Sequence, residues 1–235
     1  MDGFIHDFRG GNPPLILPEA GRLSVGEYVP GSGQKRGHPK SLDHFRVYKA
    51  DTATVAAFHS VYGSAPNEIG VSFLNSDPVD VCNTQYEIRC GKVKYAWGNG
   101  AEFFTWKVND WSAPDRKGEI VPAYAQSEEE RDEIMQRIQD EARRVGAFKK
   151  LKDLDEIKWK VNLRLKVWLN EVPVPGVWIF NTGGEDTSVK NIAGVFRTVL
   201  LAAKTVQFLP FRLKVDMHSG DTMERKRYPI VSLIP

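Results

Sequence analysis

The sequence predicts an α+β protein of mainly antiparallel sheet, with two βαβ-like units, their helices on one face, and a protruding charged helix. Three observations predict it. Between 158 and 169, Trp159, Val161, Leu163, Leu165, Val167 and Leu169 alternate with Lys158, Lys160, Asn162, Arg164 and Lys166, the period of a strand with one buried face. Two segments, 52–62 and 189–203, carry apolar residues at helical spacing between strand-like runs. A third helical segment, 127–145, is charged nearly all round and has only a narrow apolar stripe.

Residues 1–43 read as an extended arm, because glycine and proline recur too often for long regular elements. Short apolar pieces, 15–17 and 23–25, are candidates for strands at a sheet edge. Lys35, Arg36, His38 and Lys40 form a small basic cluster in that arm. A strand follows from His44, with Phe45 and Val47 on one side. Asp51 or Thr52 caps a helix whose face is Val55, Phe58 and Tyr62, and Gly63 stops it. A strand at 69–74 completes the first unit. His44 and His59 lie in it without metal-ligand spacing around them.

Next come two strands around Gly91-Lys92 and a third from Phe103, a meander. Its aromatics are Tyr86, Tyr95, Trp97, Phe103, Phe104 and Trp106. They suit a core; a stacking platform for single-stranded nucleic acid is the competing use. Residues 111–124 contain Pro114, Gly118 and Pro122 and read as irregular. The charged helix starts with a capping box, Ser127 with Glu130. Its stripe is Ile134, Ile138, Ala142 and Val145.

The long strand at 158–169 belongs in the middle of a sheet. At about 3.3 Å per residue it spans on the order of 35 Å. The turn 171–176 leads to Val177-Trp178-Ile179-Phe180, a buried strand. Gly183-Gly184 precedes a helix capped by Asp186, Thr187 or Ser188, with Val189, Ile192, Ala193, Phe196, Leu200 and Ala203 on its buried face. That pair of glycines lacks the lysine and spacing of a phosphate loop. An alternating strand from Leu209 to Met217 follows, and Pro210 suggests an edge position at its start. A charged loop with Arg225, Lys226 and Arg227 precedes a closing strand at 230–234. The organisation expected is an arm (1–43), a first α+β unit with the aromatic hairpin (44–106), an insert with the charged helix (107–157) and a second α+β unit (158–235). Residues 44–235 are able to form one globular body. The two units suggest an internal duplication, although their residue identity is slight.

The chain of 235 residues has a formal net charge of +2, too small to indicate nucleic acid by itself. Two cysteines in such a length do not describe a disulfide scaffold, and reduced thiols are expected. No apolar run reaches bilayer length and no signal peptide is visible, so a cytoplasmic protein is expected. No Ser-His-Asp, Cys-His, zinc-ligand or dinucleotide pattern occurs, so neither an enzyme nor a cofactor or metal is expected.

Several stretches in order carry a resemblance. They are Lys40-Ser41-Leu42-Asp43-His44-Phe45-Arg46, then Val61-Tyr62-Gly63, then Ser76-Asp77-Pro78-Val79-Asp80-Val81, then Gln85-Tyr86-Glu87 leading to Gly98-Asn99-Gly100. Leu163-Arg164-Leu165-Lys166-Val167-Trp168-Leu169 then runs into Pro175-Gly176-Val177-Trp178-Ile179-Phe180-Asn181-Thr182, and Pro210-Phe211-Arg212-Leu213 comes last. This order resembles the Gp3-like recombination directionality factors of phages with large serine integrases. The resemblance implies a non-catalytic protein of the bacterial host cytoplasm. It implies binding to a large serine integrase on attachment-site DNA, which turns integration into prophage excision. It further implies weak or absent direct DNA contact and no membrane. Many relatives carry a cysteine-rich, zinc-type insert where 107–158 lies; this chain has the charged helix there instead, and no metal is expected. From exposure, Ile134, Ile138, Arg131, Arg137, Lys35, Arg36 and Lys40 are the candidate partner contacts. Lys158, Lys160, Arg164, Lys166, Arg225, Lys226 and Arg227 are the candidate DNA-facing residues. A nucleic-acid-binding accessory protein of phage replication is the alternative function, and a hydrolase or nuclease with an unrecognised site is a further one.

Overall fold

The alternating stretch becomes strand β8, Lys160–Leu169, and the molecule is built on it. The fold, seen in a computed structural model, is described for residues 17–32, 37–107, 118–219 and 227–235. Val161, Leu163, Leu165, Val167 and Leu169 are buried, and Lys160 and Arg164 are exposed on the other face. β8 pairs antiparallel with β4 (Cys82–Cys90) and with β9 (Val177–Thr182), and its last two residues pair with β3 (Glu68–Ser72). It is therefore shared by two sheets. The larger runs β2 (His38–Tyr48), β1 (Glu19–Val29), β9, β8, β4, β5 (Val93–Gly98), β6 (Glu102–Lys107), β7 (Glu119–Tyr124). The smaller runs β11 (Arg227–Ile234), β10 (Phe211–Ser219), β3, β8. All pairings are antiparallel except β1 with β9 and an isolated bridge from Phe73 to Gln207. The α+β class is as predicted, with mainly antiparallel sheet.

Two cores result. The main one gathers Leu23 and Phe45 from the larger sheet, Leu213, Val215, Val231 and Leu233 from the smaller, and Phe58, Ile192 and Phe196 from helices. Those helices are α1 (Thr52–Tyr62) and α4 (Lys190–Ala203). Phe58 packs on Trp178 at 5.8 Å between ring centroids, and Phe196 on Phe73 at 5.0 Å. The second core lies between the β4–β6 meander and α3 (Glu128–Phe148): Ile88, Tyr95, Ala96 and Phe103 against Ile134, Ile138, Ala142 and Val145. Trp159 fastens α3 down, its Nε1–H donating to the Met135 carbonyl at 2.9 Å. Cys82 and Cys90 are buried free thiols, one in each core. They stand at opposite ends of β4, roughly 26 Å apart along an extended strand. Burial pushes their thiols up to about 12 and about 11.

Each strand–helix–strand unit keeps its predicted order, but its two strands lie in different sheets. β2 and β9 belong to the larger sheet, β3 and β10 to the smaller, and α1 and α4 make the crossings. Asp51 caps α1 as expected, its carboxylate accepting from the Thr54 N–H at 2.7 Å. Ser127 and Glu130 form the start of α3: Ser127 Oγ accepts from the Glu130 N–H at 3.1 Å, and Glu130 accepts from the Gln126 N–H at 2.8 Å. A short helix, α2 (Pro78–Val81), is capped by Asp77.

Four sequence expectations are corrected. Residues 19–29 and 38–48, read within an extended arm too rich in glycine and proline for long regular elements, are two eleven-residue strands. Their ladder tolerates Gly26 because it bulges there, with Ser24 Oγ accepting from the Gly26 N–H. β7 occupies part of the stretch read as irregular; Pro122 is accommodated because β7 is an edge strand. β10 is internal, paired with β3 and β11, since Pro210 lies just outside the ladder and its missing N–H costs no bond. Among the capping candidates before α4, Ser188 sits inside a π-turn (Glu185–Val189) that has no side-chain cap, and its hydroxyl accepts from the Val231 N–H of β11 at 2.9 Å.

Candidate interaction surfaces

The sheet register decides which side chains share a surface. On the outer face of the larger sheet, Lys160 stands beside Glu87, Glu87 beside Trp97, Trp97 beside Phe104, and Phe104 beside Pro122. The opposite face carries the two cores, so α1, α3 and α4 all lie on that inner side. Along β8 the outer residues are Lys160, Asn162, Arg164, Lys166 and Trp168. Lys166 is not free: its ammonium binds the Asp80 carboxylate of α2. That hydrogen bond, with a second from Asn75, holds the Asp80 carboxyl below its usual range. Glu87 is clasped by Arg89 at 3.0 Å and Lys94 at 3.4 Å. Partial burial pushes its carboxyl up, but the two cations outweigh this and leave it low. Lys160 and Arg164 make no ion pair among the described residues.

The six meander aromatics divide between the faces, so the assignment of all of them to a core is corrected. Tyr95 and Phe103 are fully buried in the second core. Trp97, Phe104 and Trp106 alternate to the outer face and are half-buried. Trp97 and Phe104 stack, with centroids 5.9 Å apart and planes 22° apart. Tyr86 packs at the margin of the main core.

The second surface is α3. Ile134 and Ile138 are buried, at 7% and 4% exposure, against the meander. They are therefore core residues and not free contacts, because a narrow apolar stripe on a charged helix is what docks the helix to its own sheet. The solvent side presents Arg137, whereas Arg131 is half-buried in the first turn, in line with the stripe. Arg131 pairs with Asp132 at 3.0 Å and Glu128 at 3.8 Å. Arg137 borders a shallow groove with Asp132, Glu133, Gln136, Asp140 and Arg144.

The remaining candidates scatter. Lys40 pairs with Glu27 at 2.9 Å at the far edge of the larger sheet. Arg227 opens β11 on the edge of the smaller sheet, away from the β8 cations. Lys35, Arg36, Arg225 and Lys226 lie outside the described residues. Sequence reasoning missed Arg89 and Lys94 as neighbours of the β8 face. The only signal was the parity of Arg89 with Glu87; Lys94, three residues from Trp97, comes to the same face only through the register shift between Ile88 and Arg89. Among the described residues no cluster of three His, Cys, Asp or Glu stands close enough to hold a metal ion. No described helix is long and apolar enough to cross a membrane.

A model of the Gp3-like, recombination directionality factor-like family matches residues 20–235. The chain belongs to that family. The match begins in β1 and ends with β11, so the Gp3-like family accounts for both sheets, both cores and α3 alike. No curated protein and no solved structure matches the chain.

Proposed function

We propose that this chain is a recombination directionality factor of a phage. In this reading it binds a large serine integrase on attachment-site DNA, in the bacterial cytoplasm, and turns it from integration to prophage excision. The observation that carries the reading is membership of the Gp3-like, recombination directionality factor-like family across residues 20–235. The protein acts as a ligand and supplies no catalytic group. It shifts the integrase equilibrium only by as much as it prefers one synaptic arrangement over another. Moving an outcome from 1:99 to 99:1 requires about 5.5 kcal/mol of such preference, which several copies share. The solvent face of α3, with Arg137, is the proposed contact, together with Arg131 at the margin of the docked face, because the opposite face is already committed to the second core. A charged groove of this kind fits a protein surface of mixed charge and accounts for orientation more than affinity.

The test is a recombination assay with the cognate integrase on both pairs of attachment sites. Excision rising and integration falling on addition of the protein is the expected result. Equal rates with and without it refute the proposal. Arg137→Glu should weaken the switch while leaving the fold intact, because Arg137 is outside both cores.

A further inference from the structure

The outer face of the larger sheet has no place in the switching function. Its row Lys160–Glu87–Trp97–Phe104–Pro122 crosses five strands, roughly 19 Å at about 4.8 Å per strand. At one end are the exposed cations Lys160 and Arg164, neither in a contact ion pair among the described residues. In the middle is the stacked pair Trp97 and Phe104, with the Lys94 ammonium 5.9 Å from the Trp97 ring centroid. Trp106 shares the face, and beyond it Ile120 and Tyr124 are 54% and 58% exposed.

The charge on this face is complementary to an anion. Glu87 is neutralised by Arg89 and Lys94, and Asp80 by Lys166. Lys160 and Arg164 are then left without a contact ion pair among the described residues, although the Arg164 charge also bears on the Glu19 and Asp80 carboxylates, and Glu102 lies at the far side of the rings from them. An anion with flat, stackable groups attached is what such a face would take. Aromatic rings on a sheet face with cations beside them bind single strands, whose bases are free to stack and whose phosphates meet the cations. A duplex keeps its bases stacked internally and gains nothing from the rings.

We propose that the outer face of β8, β4, β5 and β6 binds single-stranded nucleic acid. Bases stack at Trp97 and Phe104, and backbone phosphates lie on Lys160 and Arg164. Neither the integrase nor the solvent face of α3 enters this proposal.

The test titrates the full chain into fluorescein-labelled dT20, rU20 and a 20-base-pair duplex, read by anisotropy across a salt series. Binding of dT20, rU20 or both well above the duplex is expected, and the two single strands tell DNA from RNA as the natural source. The affinity should fall with salt at a slope set by the two or three phosphates contacted, about −1.4 to −2 on a log–log plot. Lys160→Glu with Arg164→Glu, both on the exposed face, should abolish most of the binding. Trp97→Ala should weaken it about tenfold, with circular dichroism reporting that the sheet is retained. No binding of dT20 or rU20 at low salt overturns the proposal. So does equal affinity for the duplex, or binding that the double charge reversal leaves unchanged. If the charge-reversal variant instead loses the integrase while the wild type never binds oligonucleotide, the face is a protein contact and the proposal is wrong. If single-strand binding fails while wild-type protein still switches the integrase, only this inference falls.

Discussion

Ile138→Ala separates two uses of α3. Ile138 is 4% exposed and packs in the second core with Ile88, Tyr95 and Phe103. The substitution removes three carbons. At about 0.8 kcal/mol per buried methylene this is about 2.4 kcal/mol, before the cavity is counted. The cavity adds to it, since buried aliphatic truncations cost about 2–5 kcal/mol. Alanine's better helix propensity returns only about 0.4 kcal/mol. A net loss of about 3 kcal/mol is expected, a large part of a stability of about 5–15 kcal/mol. Urea unfolding followed by far-ultraviolet circular dichroism and by tryptophan fluorescence measures it. Trp159 bonds to α3 through the Met135 carbonyl, so fluorescence reports undocking of the helix. The second core is the smaller, and β4 and the approach to β8 join it to the first. The fluorescence transition of the variant should therefore move to lower urea than the circular dichroism transition. Arg137→Ala, on the exposed side, should change stability by less than about 0.5 kcal/mol. An Ile138→Ala protein of wild-type stability that no longer binds integrase would refute the assignment of the stripe to the core.

Two further outcomes follow from buried groups. Cys82 and Cys90, with thiols pushed up to about 12 and about 11, should resist Ellman's reagent at pH 8 in the native protein and react fully in denaturant; complete labelling of the native state within minutes contradicts their placement. Burial, with the nearby Glu171 carboxylate, pushes the Tyr62 hydroxyl up to about 12, and that hydroxyl accepts from the Gly70 N–H at 3.2 Å. Its folded-state pKa is raised, so its contribution to stability is complete below about pH 10 and is lost as pH rises from about 10 towards 12. Tyr62→Phe should cost roughly 1–2 kcal/mol at pH 7, because Gly70 loses a partner, and should flatten the alkaline stability profile. A wild-type profile flat to pH 12 argues against the link.

The elements legible in the sequence are those whose signal is local. The alternation of 158–169 specifies β8 and its buried face. Asp51, Ser127 and Glu130 mark helix starts because a cap acts within one turn. The spacing of Ile192 and Phe196 marks the side of α4 that enters the core. What was illegible depends on partners distant along the chain. β1 reads as a broken arm until β9 is placed beside it in parallel, more than 150 residues later. Ser188 reads as a cap until β11 arrives to use its hydroxyl. The stripe of α3 reads as a surface for others until the meander covers it. The candidate site suffered most, because it is a matter of register. The β8 cations were visible, but their neighbours across the sheet are set by ladder pairings, and a bulge shifts one of them by a residue.

This dependence on register also bears on how the outer face could work. β8 is the strand shared by both sheets, flanked by β9 on one side and by β4 and then β3 on the other. Its backbone is thus among the most constrained in the molecule, and its buried side chains stand at 5% exposure or less. Cations on such a strand are held at fixed spacing by the pleat, and only their side-chain rotamers remain to be ordered by a ligand. The stacked Trp97 and Phe104 are likewise ordered before anything binds. A flexible arm with the same basic residues would have to lose its backbone freedom as well. The long strand that organises the fold therefore also preorganises the stretch of the outer face, from Lys160 across β4, β5 and β6, that lies opposite α1, α3 and α4. A contact made there should be limited by the ligand's entropy, not by the protein's.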